Sequence, residues 1–224
     1  MLIQIPAVLT AHQSTECRDA LSQAEWTDGR DTAGYLSRRV KNNTQLPENH
    51  PVARRYGEMI LDALDANQSF VAAALPLKVV PPLFNRYADA QAYGPHIDGA
   101  VRPVPGTPHR VRTDLSATLF LSAPESYEGG ELVIGDSGQR LKLPAGDLVL
   151  YPATSVHHVA PVTAGVRLAA FFWIQSMVRD QTRRTILYDL DGVVQTLARE
   201  NATQDSVVKL AGIYHNLIRQ WADT

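Results

Sequence analysis

The sequence predicts a mainly β domain, a sandwich, barrel or jelly roll, flanked by helices at both ends. Three observations carry this. Between about residues 76 and 175 the 224-residue chain holds a series of short apolar or alternating runs: PPLFNRYA, DLSATLFLS, GGELVIG, QRLKLPAGDLVLYPA and GVRLAAFFWIQ. Clusters of Gly, Pro, Asp and Ser separate them, as expected for many short strands joined by turns. No βαβ alternation and no phosphate-binding glycine loop appear in this stretch, while on both sides the apolar period changes to that of helices.

The first zone, about 1–75, begins with MLIQIPAVLT. This stretch is apolar but has no basic leader, so it reads as a strand rather than a signal peptide. TAHQ has the form of a capping box and opens a helix to about residue 24. A second helix is predicted over 51–66, because Val52, Tyr56, Ile60 and Leu64 recur every four residues and share a face. Between the two helices, RVKNNTQLPENH reads as a loop or a mobile lid. The third zone, 176–224, returns to helix over 179–199, with Gly192 weakening its middle, and again where Val207, Leu210, Ala211, Tyr214, Ile218 and Trp221 follow helical spacing. A pair of helices this apolar on one face must cover the β core or form a homodimer contact.

Composition narrows the function. Apolar residues make up 45% of the chain, enough for a sizeable core, and the net charge is −2. Binding to nucleic acid through overall charge is therefore not expected. The lone cysteine, Cys17, rules out an internal disulfide and fits a reducing compartment. Its place in an amphipathic helix marks it as a small buried hydrophobe. No apolar run reaches the length of a membrane span. A soluble, cytoplasmic protein is expected, and the sequon-like triplets at Asn42, Asn67 and Asn201 read as chance matches.

The chemistry starts at QAYGPHIDGA. His96 and Asp98 stand two residues apart, in a chain with only seven histidines. A turn could place them so, and so could half of a metal site. His157 and His158 follow another strand, GDLVLYPA, and a jelly roll can bring strand ends together. Two imidazoles and one carboxylate on one face of a metal leave three positions open, the arrangement suited to non-haem Fe(II) oxygenases. Arg167 lies ten residues beyond His157, in the apolar strand GVRLAAFFW. An arginine there needs a buried anion or an edge location, and a guanidinium binds a carboxylate in bidentate fashion.

H-x-D, a distal His and an Arg ten residues later resemble the Fe(II)/2-oxoglutarate-dependent dioxygenases. The finer pattern, NRYADAQAYGPHID, YEGGELVI, LPAGDLVLYPATSVHHV and GVRLAAFFWIQS, resembles the bacterial PKHD-type (prolyl/lysyl hydroxylase) branch, which carries the label of iron-uptake factors. The resemblance covers essentially the whole chain. It implies a double-stranded β-helix core at about 76–175 inside a dioxygenase domain of 1–175, with 176–224 as a C-terminal helical extension. It assigns His96, Asp98 and His157 to Fe(II), and Arg167 to the distal carboxylate of 2-oxoglutarate. Tyr87 and Tyr93 match aromatic positions of that pocket. Adjacent strand residues face opposite ways, so only one of His157 and His158 can reach a metal, and the match selects His157. Many relatives add a Tyr or Thr hydroxyl from a strand corresponding to SATLFLS; Phe120 cannot supply it, which leaves Ser116 or Thr118.

The implied reaction couples decarboxylation of 2-oxoglutarate to succinate with hydroxylation of a prolyl-type peptide side chain or a small molecule, helped by L-ascorbate. Other readings are a jelly roll that senses iron or a ligand without turnover, and a nucleic-acid demethylase. EGGEL reads as a hairpin turn of architectural value. AVRPVPGTPHRVRTD, with Arg102, Arg110 and Arg112, is either a proline-stiffened solvated loop or a lid over an acidic or phosphorylated substrate. His12, His50 and His215 sit in helical contexts and read as ordinary.

Overall fold

The chain folds into two antiparallel sheets of a jelly roll, with helices on the outer face of the larger sheet. The computed structural model describes every residue except 33, 36, 105, 106, 136, 137, 201, 202 and 224, so the triplet at Asn201 lies outside the described residues. The larger sheet runs Ile3–Ile5, Leu148–Pro152, Leu115–Phe120, Arg167–Ser176, Leu83–Tyr87, Thr44–Gln45, Thr27–Asp28, and Pro76–Val79 pairs with the far end of Arg167–Ser176. The smaller sheet runs Gln139–Leu141, Leu132–Ile134, His157–Val159, Ala92–His96, Lys41–Asn42.

A period of two sorts the side chains of the larger sheet. Leu115, Ala117 and Leu119 on one strand, and Leu168, Ala170, Phe172 and Ile174 on the next, join the core under the helices. Phe120, Tyr87, Val149 and Tyr151 join Leu132, Ile134 and Val159 in a second core between the sheets. The functional side chains use that inward face.

Helix α1 (Ala11–Ser22) starts at Thr10, where both halves of the capping box with Gln13 form, an arrangement worth about 1 kcal/mol. It buries Cys17, whose thiol burial pushes up to about 12. Helix α2 (Pro51–Asp65) is capped by His50 and buries Tyr56, Ile60 and Leu64, the predicted stripe. Helix α3 (Gln68–Ala74) was not anticipated, since seven residues are too few for a period to stand out. Asn67 caps it, its Oδ1 accepting the Phe70 N–H at 2.9 Å.

Three expectations about connections need correction. The segment read as a loop or lid contributes Lys41–Asn42 to the smaller sheet and Thr44–Gln45 to the larger, so it ties the two together. The glycines of EGGEL are not a hairpin turn. Tyr127–Gly129 pairs with Val162–Gly165, whereas Leu132–Ile134 pairs with Gln139–Leu141 and His157–Val159, so Gly129 and Gly130 carry the chain between sheets. Both have positive φ, which glycine adopts freely. The proline-rich segment forms a hairpin of Val101–Pro103 with Arg110–Arg112. There Arg112 pairs with Asp114 at 2.7 Å and Arg110 is exposed, while Arg102 alone of the three lines the central cavity.

Helices α4 (Gln181–Arg199) and α5 (Gln204–Trp221) pack on each other, and α4 packs against α3. Leu187 is fully buried with Leu75 and Val178, and Tyr214, Leu217, Ile218 and Trp221 close over them. Buried Arg184 donates through Nη1 to the Val178 and Arg179 carbonyls, both at 2.7 Å. The pair covers α3, Tyr188 of α4 also packs against the core under the larger sheet, and this packing lends no support to a homodimer contact. No helix among the described residues is long and apolar enough to cross a membrane.

Leu187 is the anchor of this extension. Leu187→Ala should lower stability by about 2–5 kcal/mol in urea unfolding; a loss under about 0.5 kcal/mol, as at a surface site, would show that the extension is held elsewhere.

Candidate active site

Strand pairing brings the sequence-predicted residues to one place. His157 opens the strand His157–Val159, and its register partner is His96, the last residue of Ala92–His96. His96 therefore ends a strand of the smaller sheet, one turn beyond the Leu83–Tyr87 strand of the larger sheet. Asp98 follows two residues later, and one ligand atom from each of the three side chains lies within 4.8 Å of the others. His157 Nε2 stands 3.8 Å from Asp98 Oδ2.

Backbone carbonyls fix which imidazole nitrogen faces the centre. His96 Nδ1 lies 2.9 Å from the Gly94 carbonyl and His157 Nδ1 lies 3.1 Å from that of Ser155. A carbonyl only accepts, so each Nδ1 carries the proton and each Nε2 presents a lone pair, the form a metal needs. Burial, then the neighbouring His157, push His96 down to about 4, which keeps it neutral at pH 7. Tyr93 stacks on the His96 ring at 3.7 Å and an interplanar angle of 15°, holding its plane. Ser116 Oγ donates to Asp98 Oδ2 at 2.6 Å, which orients the carboxylate. The hydroxyl considered for the co-substrate thus serves the triad. His158, paired with Val133, points to the opposite face of its strand.

Arg167 sits at the other end. It is 1% exposed, on an interior strand between Leu115–Phe120 and Leu83–Tyr87, so an edge location is excluded. Its guanidinium carbon lies 5.4 Å from the Tyr87 ring centroid and 5.3 Å from that of Phe120. Among the described residues none of its three side-chain nitrogens has a hydrogen-bond partner. A buried, unpaired charge of this kind is strongly destabilising, and a bound carboxylate would compensate it. Gly130 makes room for the side chain, because a Cβ there would come within 3.1 Å of Arg167 Cδ.

Two further phenols belong to this region, Tyr151 on the cavity wall and Tyr127 in the core beside Arg167. Tyr151 lies across from Ser116, its ring is edge-on to His157 at 5.1 Å, and it interacts with both Asp98 and Arg167. It spans the interval between the triad and the guanidinium. Tyr127 stands beside Arg167. Burial raises the pKa of Tyr87, Tyr127 and Tyr151, so all three keep their protons. Sequence reasoning missed Tyr127 and Tyr151. The alternation through VLYP could have found Tyr151, since Val149 and Tyr151 share the inward face.

A cavity of about 590 Å³ joins these groups and reaches past the triad to Lys41, Arg102, Phe171 and Trp173. Two imidazole nitrogens and a carboxylate form an N,N,O donor set on one side of a centre, which fits Fe(II) with positions left open. The unpartnered Arg167 fits a dicarboxylic co-substrate reaching from that centre. His157→Ala should abolish divalent-metal binding while His158→Ala retains it, as read by Mn(II) titration; equal loss in both would place the ligand wrongly.

A family model described as 2OG-Fe(II) oxygenase superfamily matches residues 82–175, and one described as PKHD-type hydroxylase C-terminal domain matches residues 180–223. A PKHD-type hydroxylase of Methylobacillus flagellatus is 55% identical over 227 residues, covering 100% of each chain. A prolyl-4-hydroxylase of Pseudomonas putida shares the fold, with a TM-score of 0.52 at 19% identity over 78% of this chain and 92% of that one. So does a prolyl hydroxylase of Trichoplax adhaerens, solved with a hypoxia-inducible-factor peptide, with a TM-score of 0.52 at 16% identity over 77% and 82%. Matched from end to end at this level of identity, the chain belongs to the PKHD-type hydroxylases, dioxygenases of the 2OG-Fe(II) oxygenase superfamily.

Proposed function

We propose that His96, Asp98 and His157 hold Fe(II), that Arg167 clamps the distal carboxylate of 2-oxoglutarate, and that the oxidised substrate is a peptide side chain of prolyl type or a small molecule. The observation that carries this reading is Arg167, a buried guanidinium that no described residue hydrogen-bonds. It weighs against a ligand-sensing jelly roll, which has no use for a carboxylate clamp. The net charge of −2 weighs against a nucleic-acid demethylase. The reading extends to a cytoplasmic setting, to a link with iron uptake, and to residues 1–175 and 176–224 as catalytic domain and helical extension.

When bound, iron and 2-oxoglutarate supply the oxidant: O2 is consumed, the oxo acid leaves as succinate and CO2, and one oxygen atom enters a C–H bond of the substrate. The protein does the positioning. Gly94 and Ser155 hold the two imidazoles with Nε2 inward, and Ser116 holds the Asp98 carboxylate. Arg167, between Tyr87 and Phe120, fixes one end of the co-substrate in a water-poor cleft where its charge acts strongly. Tyr87 thus lines the carboxylate end, and Tyr93 supports the metal end through His96. L-Ascorbate would serve as the reductant that brings ferric iron back to Fe(II).

Purified protein given Fe(II), 2-oxoglutarate, ascorbate and air should form succinate above a His96→Ala control even without a target substrate. Succinate equal to the control, together with failure of anaerobic protein to bind Fe(II) and 2-oxoglutarate, would return the triad to a structural role.

A further inference from the structure

The cavity has a second cationic end that the co-substrate does not use. Arg167, Phe171 and Trp173 share the inward face of one strand. At about 3.3 Å per residue, Phe171 lies about 13 Å and Trp173 about 20 Å from Arg167 along it. Arg102 stacks on Trp173, its guanidinium carbon 4.2 Å from the ring centroid. The Lys41 ammonium lies 5.4 Å from the Tyr93 centroid and 6.0 Å from that of Phe171. Phe171 and Trp173 meet edge to face at 5.6 Å. The two cations and these rings form one wall, on the side of His96 that Tyr93 covers. A 2-oxoglutarate held by Arg167 is too short to span the strand to Trp173, on which Arg102 stacks.

The charges of the cavity lead to the same place. Among the described residues that line it, Asp98 carries the one carboxylate, against Lys41, Arg102 and Arg167. Fe(II) and dianionic 2-oxoglutarate cancel, and Asp98 and Arg167 cancel. Arg102 then adds positive charge beside the reacting centre. Lys41 Nζ donates to Gln45 Oε1 at 2.9 Å, which fixes its position. Among the described residues Arg102 Nε has no hydrogen-bond partner. Glu48 and Glu58 line a neighbouring cavity that Arg102 also borders, and neither forms an ion pair with it among the described residues. Burial, then Arg102, lower Lys41 to about 8, so it is still mostly protonated at pH 7.

We propose that Arg102, with Lys41 beside it, is the specificity element that receives a carboxylate of the substrate. The planar fork of Arg102, held flat on Trp173, offers the bidentate geometry a carboxylate takes. Tyr93, Phe171 and Trp173 provide apolar surface for the adjoining carbon skeleton. The enzyme therefore selects an acid over its neutral counterpart and presents a carbon near that carboxylate to the metal centre. This inference rests on the iron and 2-oxoglutarate reading given above.

The test uses the full chain with saturating Mn(II) and 2-oxoglutarate, so that Arg167 is occupied and no turnover occurs. Benzoate and benzamide, alike in shape but not in charge, are titrated by ligand-observed NMR. The wild type should bind benzoate about tenfold more tightly than benzamide or better, as expected for one charge-assisted contact. Arg102→Gln should remove most of that preference, and Arg102→Lys should keep part of it. Equal affinity for the two probes, no measurable affinity for benzoate, or an unchanged preference in Arg102→Gln overturns the proposal. The 2-oxoglutarate titration in the same samples separates the two levels. If the wild type fails to take up 2-oxoglutarate, the reading of the site falls and this inference with it. If uptake is normal and the probes bind alike, only the inference falls.

Discussion

A guanidinium buried between two aromatic rings, on an interior strand and without a hydrogen bond from a described residue, has to be compensated by something the protein binds. Arg167 is in that position. Much of the surrounding architecture makes the position tenable. Gly130 leaves room for the side chain, and the Tyr87 and Phe120 rings offer their faces to the cation. Replacing an apolar core residue by an unpaired charge is a cost that selection for folding alone would remove. Its presence fits the anionic ligand proposed for this site.

The proposed metal end depends on a different constraint, the register of a short antiparallel pair. His157 and His96 are opposite each other only because Ala92–His96 and His157–Val159 meet at their ends. A slip by one residue would bring His158 in and turn His157 outward. Backbone carbonyls of Gly94 and Ser155 then orient both rings, so the site is built from main chain as much as from side chains. Its third member depends on the larger sheet, since Ser116 reaches Asp98 from the strand that also pairs with Arg167–Ser176. The two sheets must face each other for the site to exist.

The parts of this arrangement that were legible in the sequence are those encoded by spacing. An alternating strand with one arginine, and a carboxylate two residues from a histidine, survive as patterns whatever the tertiary context. The stripe of α2 and the cap of α1 were legible for the same reason, because both are local. What escaped depends on contacts far along the chain. Lys41 sat in a polar stretch that looked like a loop until Lys41–Asn42 was seen to pair with Ala92–His96. Ser116 offered a hydroxyl with no indication that Asp98, eighteen residues away, would take it. The glycines of EGGEL announced positive φ but not that the chain changes sheets there. The helical extension was legible as two amphipathic helices, and its partner, α3, was too short to announce itself.

Arg167, buried and without a hydrogen bond from a described residue, is proposed to hold a carboxylate of the co-substrate. Calorimetry of 2-oxoglutarate binding to the Mn(II)-loaded protein tests it most directly, with Arg167→Met as the uncharged counterpart of similar bulk. The wild type should bind and the variant should lose about tenfold or more in affinity, with Mn(II) still taken up by both. Equal affinity of the two proteins for 2-oxoglutarate would contradict it.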